Sequence, residues 1–117
     1  MKEHKIYTMS FGRVYPLYVA KLARKGRTQL ELDEVIFWLT GYSKQDINRI
    51  LQEETDFRSF FANAPRLNPK RKEITGKICG VKVEEIEDPL MQNIRYLDKL
   101  VDDLARGKKL EALLKNR

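Results

Sequence analysis

The chain has 117 residues, a net charge of +6, and only one cysteine, Cys79, beside one histidine, His4. A chain of this length fits one domain and buries roughly two-thirds of its unfolded surface without help from a metal. Its composition excludes an intrachain disulfide and a four-ligand Cys/His zinc site, and no apolar run reaches the ~20 residues that span a bilayer.

The start, "MKEHKIYTMSFG", is basic but has no apolar stretch of signal-peptide length, which gives a cytoplasmic expectation. The first helix is predicted from Val14, with Pro16 in its first turn, where a missing N–H costs nothing. Val14, Tyr15, Tyr18 and Leu22 form its apolar stripe. Lys21, Arg24 and Lys25 complement the dipole of its last turn, and Gly26 ends it. Thr28 opens the second helix through the capping box "TQLE". Leu32, Val35, Ile36 and Leu39 make one face, Phe37 and Trp38 add bulk on others, and such a helix is expected at the centre of the fold. Gly41 stops it and Ser43 caps a third helix, "KQDINRILQEE", burying Ile47, Ile50 and Leu51. A fourth, short helix starts at Thr55, carries Phe57, Phe60 and Phe61, and closes at Pro65.

"PRLNPKRKE" then reads as an exposed basic loop. Residues 74–83, "ITGKICGVKV", read as a short bent β-hairpin. Asp88 as N-cap and Pro89 as first residue open the longest helix. Its apolar positions Leu90, Ile94, Leu97, Val101 and Leu104 repeat every three or four residues until Arg106 and Gly107 end it. "KKLEALLKNR" supplies a last short helix. The expected fold is thus a mainly α, single compact domain over 1–117, of about six helices with a small hairpin.

Three strings, "IYTMSFGRVYPLYVAK", "WLTGYS" and "GVKVEEIEDPLMQNIRYLDKLVDDLARGK", resemble a family of small uncharacterised prokaryotic proteins, the domain of unknown function 2200. The resemblance runs from about Ile6 to Lys109. It implies a small, mainly helical cytoplasmic protein and carries no activity, substrate or catalytic residue, so function must come from the residues themselves.

Charge is distributed in blocks. Residues 1–30 are net +6, 31–60 net −4, 61–83 net +5, 84–104 net −5 and 105–117 net +4. Such blocks either neutralise one another across the fold or gather their cations on one face for phosphate. A nucleic-acid reading uses Lys21, Arg24, Lys25 and Arg27 with Arg66, Lys70, Arg71 and Lys72. Residues 33–50 add a helix-turn-helix-like segment whose second helix presents Lys44, Gln45, Asn48 and Arg49, types that read base edges. Against it stand Phe37, where a small residue is usual four positions before the turn glycine, and Asp46, Glu53 and Glu54 near the reading helix. Two packed helices are the preferred reading.

Other candidates each have a plainer alternative. Cys79 as a nucleophile would need an activating neighbour, and strand alternation places Lys77 on its face. A buried, inert thiol is the commoner case. Glu84, Glu85, Glu87 and Asp88 suit the N-terminus of the following helix better than acid–base chemistry. Tyr7, Phe11, Tyr15 and Tyr18 beside Arg13 and Lys21 form either a nucleic-acid clamp or core. The seam Leu90, Ile94, Leu97, Val101 and Leu104 packs on its own domain or forms a dimer. No phosphate-cradling glycine loop, nucleophile elbow, metal cluster or cofactor motif is present. The leading expectation is a non-enzymatic cytoplasmic binding protein, acting on a protein partner or as a homodimer, with an apolar patch near Trp38 or along the 90–104 helix. Nucleic-acid binding is the alternative, a small enzyme using Cys79 the second alternative, and no membrane or cofactor is expected.

Overall fold

The computed structural model describes residues 4–114. Its helices are α1 (Phe11–Ala23), α2 (Gln29–Thr40), α3 (Lys44–Gln52), α4 (Phe57–Ala62), α5 (Pro89–Ala105) and α6 (Leu110–Leu113). One antiparallel hairpin, β1 (Lys77–Ile78) and β2 (Val81–Lys82), precedes α5, with Lys77 opposite Lys82 and Ile78 opposite Val81. The mainly helical expectation with a hairpin inside 74–83 holds.

The first helix begins three residues earlier than its local signals suggest. An isolated bridge between Ser10 and Asp56 pins the chain just before it, with Phe11 N–H donating to Thr55 O (2.8 Å) and Phe57 N–H to Met9 O (3.1 Å). Phe11 therefore enters the helix and stacks on Phe60 with ring centroids 4.2 Å apart. Pro16 consequently lies in the helix interior, not the first turn, and leaves the Gly12 carbonyl without its usual donor. The α4 cap also differs: Asp56, not Thr55, accepts from Ser59 N–H at 2.8 Å.

The capping boxes of α2 and α3 are complete, Thr28 with Glu31 and Ser43 with Asp46. The Ser43 backbone N–H, the larger effect, and its hydroxyl hold the Asp46 carboxyl below its ordinary range. Asp88 caps α5 by accepting from Leu90 N–H at 3.0 Å and also receives the Tyr7 hydroxyl, which chiefly depresses its carboxyl.

The centre of the fold is α5 rather than α2. It packs against α1, α2, α4, α6 and the hairpin, and buries Ile94, Leu97, Val101 and Leu104 completely or nearly so. Leu90 is partly buried against the same core. The apolar seam is thus consumed inside the chain, which removes it as a dimer surface. On α2, by contrast, Phe37 and Trp38 are only half-buried. The aromatics Tyr7, Phe11, Tyr15 and Tyr18 are likewise core, so they cannot clamp nucleic acid.

Candidate functional site

Trp38 lies in the last turn of α2, whose final carbonyls have no partner within the helix. The segment after α4 supplies those partners. Arg66 N–H donates to Thr40 O (2.9 Å), Asn68 N–H to Leu39 O (3.0 Å), and Asn68 Nδ2 to Trp38 O (3.2 Å). This close approach needs Gly41. Its φ is +80°, and a Cβ there would lie 2.9 Å from both Arg66 N and Arg66 Cβ. The glycine of the helix-turn-helix-like segment therefore serves the basic segment lying across it.

That segment stays ordered into the next turn. Asn68 Oδ1 accepts from Lys70 N–H (2.9 Å) and caps a 3-10 turn over Pro69–Glu73. Part of the predicted exposed loop is thus regular and stapled to α2. Arg71 points inward along it, its Nε donating to Asn93 Oδ1 (3.0 Å) and its Nη1 to Asn68 O (3.0 Å).

The result is a groove on both sides of Trp38. One cleft of about 600 Å³ is lined by Glu34, Phe37, Trp38, Arg66, Asn68 and Lys70 among others. A second, of about 370 Å³, runs from Trp38 and Lys70 to Ile74, Leu100, Lys108 and Leu113. Trp38 and Lys70 line both. The groove combines an aromatic wall with the cations Arg66, Lys70 and Lys108 and the carboxylates Glu34, Glu73 and Asp103 in its lining. Of the sequence-predicted residues it brings together Trp38, Arg66 and Lys70.

The remaining basic residues are dispersed. Lys21 Nζ reaches Asp102 on α5 at 3.2 Å, whereas Arg71 reaches Asn93 on the same helix. Nine residues at ~100° each place those two partners half a turn apart, on opposite sides of α5. The anchored members of the two basic blocks hence do not share a face. Arg24 and Lys25 are exposed, and Arg27 pairs with Glu31 at 2.8 Å. Lys72 is exposed beyond the groove.

On α3, Lys44, Gln45, Asn48 and Arg49 are all exposed. Lys44 is tied to buried Asp33 (2.8 Å) and Arg49 to Asp46 (3.3 Å), leaving Gln45 and Asn48 as the outward polar pair. Asp33 also accepts from the Tyr15 hydroxyl at 2.5 Å. Burial, reinforced by that carboxylate, pushes the Tyr15 phenol up to about 12.

Cys79 is not on a strand face with Lys77. Two residues, Cys79 and Gly80, with φ of +54° and +79°, make the hairpin turn, and this pattern is a type I′ turn. The thiol is exposed, so the inert, buried reading is also corrected. Arg95 Nη1 lies 3.4 Å from Sγ and pairs with Asp98 at 2.8 Å. A guanidinium can attract a thiolate but cannot take its proton, so the pair lacks a general base. Glu84 is occupied structurally, accepting from Gly76 N–H at 3.0 Å. Among the described residues no group of three or more His, Cys, Asp or Glu could hold a metal ion, and no helix is long and apolar enough to cross a membrane.

The groove was only partly legible in sequence. Trp38 and the basic 66–72 run stand out there, but their meeting depends on backbone bonds between segments about 28 residues apart, which leave no periodic trace.

The crystal structure of the uncharacterized protein SP1917 matches this one with a TM-score of 0.90 at 48% sequence identity, over 97% of this chain and 93% of that chain. A family model described as an uncharacterized protein conserved in bacteria, DUF2200, matches residues 5–115. No curated protein matches the chain.

Proposed function

We propose, for a chain that belongs to the DUF2200 family of uncharacterized proteins conserved in bacteria, a role as a non-enzymatic binding protein of the cytoplasm whose recognition element is the groove around Trp38. The observation that carries this reading is the placement of one half-buried tryptophan as the common wall of two adjoining clefts. Clefts that take small ligands are largely preformed, commonly ~300–1,000 Å³, and combine apolar walls with a few fixed polar groups. The larger cleft has that size and lining. Its polar rim is held by three bonds to the end of α2, so little ordering is left to oppose binding.

Self-association, if it occurs, must use a surface other than the Ile94–Leu104 seam, which the core already occupies. The test is an amide and indole NMR screen of the full chain against a small-molecule fragment library. Hits that move the Trp38 indole N–H together with the 66–70 amides support the reading. A screen whose hits fall elsewhere, or that yields none, overturns it.

A nucleic-acid role keeps one favourable observation, the outward pair Gln45 and Asn48 on α3. Fluorescence anisotropy of labelled DNA and RNA at several salt concentrations tests it. Binding by several phosphate contacts gives a log–log salt slope near −0.9 per contact on duplex DNA. Dispersal of the basic blocks around α5 predicts a shallow slope instead.

A further inference from the structure

Some cations of this protein are neutralised by the fold, and others, Arg24, Lys25 and Lys72 among them, stand exposed. Those along α5 are neutralised by the fold: Lys21 by Asp102, Arg95 by Asp98, and Lys99 by Asp103. Arg66 and Lys70 are different. Among the described residues neither side chain has a hydrogen bond, ion pair or ring contact, yet both line the cleft that Trp38 walls. Their backbones are the ones stapled to α2 and capped by Asn68, so both charges leave a rigid support into one cavity. Two unneutralised cations beside a flat aromatic wall are a joint recognition device. The cations favour an anionic group with several acceptor oxygens, and the indole face favours a planar ring.

We propose that this cleft binds a nucleoside monophosphate, its base stacked on Trp38 and its phosphate held by Arg66 and Lys70. The inference rests on the groove being the binding element and names its ligand class. Three features of the cleft favour this class. Inorganic phosphate would leave the Trp38 face unused. An uncharged ring would leave both cations unmatched. A ligand anionic at both ends would bring its second anion into a cleft that Glu34 also lines, whereas a nucleoside monophosphate confines its charge to one end.

Trp38 is the only tryptophan in the chain, so its fluorescence reports occupancy directly. The experiment titrates the full chain at low salt with adenosine 5′-monophosphate, adenosine, inorganic phosphate and a single-stranded ten-nucleotide oligo(dA). Isothermal calorimetry provides the second readout. The expected result is saturable quenching by the monophosphate, with adenosine and phosphate each binding at least about tenfold more weakly. Arg66→Ala and Lys70→Ala should each raise Kd by about tenfold, the weight of one charge-assisted hydrogen bond. Arg24→Ala and Lys25→Ala, which remove the same charge at exposed positions just after α1, should leave Kd unchanged and so exclude a net-charge effect.

Equal weakening by all four variants would overturn the proposal, as would oligo(dA) binding without monophosphate binding, which would assign the cleft to a nucleic-acid strand. If fragments bind at Trp38 in the NMR screen but the monophosphate does not, the ligand class is wrong and the groove reading stands. If nothing perturbs Trp38, both fall.

Discussion

Replacing Gly41 by alanine tests the joint that builds the groove. Two costs apply. Gly41 has φ +80°, and holding a side-chain-bearing residue in the left-handed region costs ~1–2 kcal/mol. The new Cβ would also lie 2.9 Å from Arg66 N, a backbone atom that cannot rotate away, so the 66–68 segment must move. That movement strains the Arg66–Thr40, Asn68–Leu39 and Asn68–Trp38 bonds, each worth ~0.5–1.5 kcal/mol. Losing one or two of them brings the total to about 2–4 kcal/mol. Gly26 is the matched control. Its φ is +74°, but a Cβ there meets nothing within 4 Å, so Gly26→Ala incurs the backbone cost alone. The smaller unfolded-state entropy of alanine offsets both substitutions equally and drops out of the comparison. Urea denaturation of the two variants measures the difference. Gly41→Ala should lose at least about 1 kcal/mol more than Gly26→Ala, the value of one lost hydrogen bond, with an unchanged m-value. Its Trp38 emission should shift as the groove rim loosens. Equal losses for the two variants would mean that the 66–68 segment is not pressed onto α2, and the groove as described would not exist.

Other perturbations probe the supports around that joint. Tyr15 keeps its phenolic proton to about pH 12, against an ordinary value of 10, so above pH 10 the unfolded chain releases that proton first and stability falls as pH rises. Two units correspond to about 2–3 kcal/mol, and Tyr15→Phe should flatten this part of the alkaline limb in denaturation curves collected from pH 9 to 12. Asp103→Ala leaves the Lys99 ammonium, whose side chain is only 12% exposed, without its 2.6 Å partner and should cost about 3 kcal/mol by urea denaturation. Adding Lys99→Met should restore much of that loss, and a double variant as unstable as the single would refute the pairing. Cys79→Asn should raise the melting temperature, because asparagine tolerates the +54° φ of a type I′ turn better, while Cys79→Val should lower it. Iodoacetamide should modify the native wild-type thiol without unfolding, since it is exposed, and a failure to label would contradict that placement.

What could be read before folding was chemistry that acts within a few residues. The Thr28 box, the Asp88 cap and the Ile94–Leu104 stripe each depend on neighbours two to four positions away, and each is where the sequence places it. The errors fall where a distant segment intervenes. Helix α1 starts at Phe11 because Thr55 accepts its N–H, and no local signal near Ser10 records that bond. Cys79 looked like a strand residue because its neighbours are β-branched, but two-residue closure of so short a hairpin forces it to positive φ. The Trp38 groove is the largest such case. Its wall comes from α2, its rim from the segment after α4, and its far end from α5 and α6.

The same contrast bears on function. A protein whose basic blocks existed only to neutralise acidic ones would pair its cations wherever an acid is near, as α5 does with Lys21, Arg95 and Lys99. At Arg66 and Lys70 the fold takes two backbone N–H groups and leaves both charges unmatched among the described residues. The +5 block of residues 61–83 thus has two separable parts. Arg71 is spent on holding Asn93 and Asn68, whereas Arg66 and Lys70 are presented beside the one tryptophan. Charge left unmatched on a rigid support next to an aromatic wall gains from an outside ligand what the fold does not supply, and that places recognition, rather than internal neutralisation, at this end of the molecule.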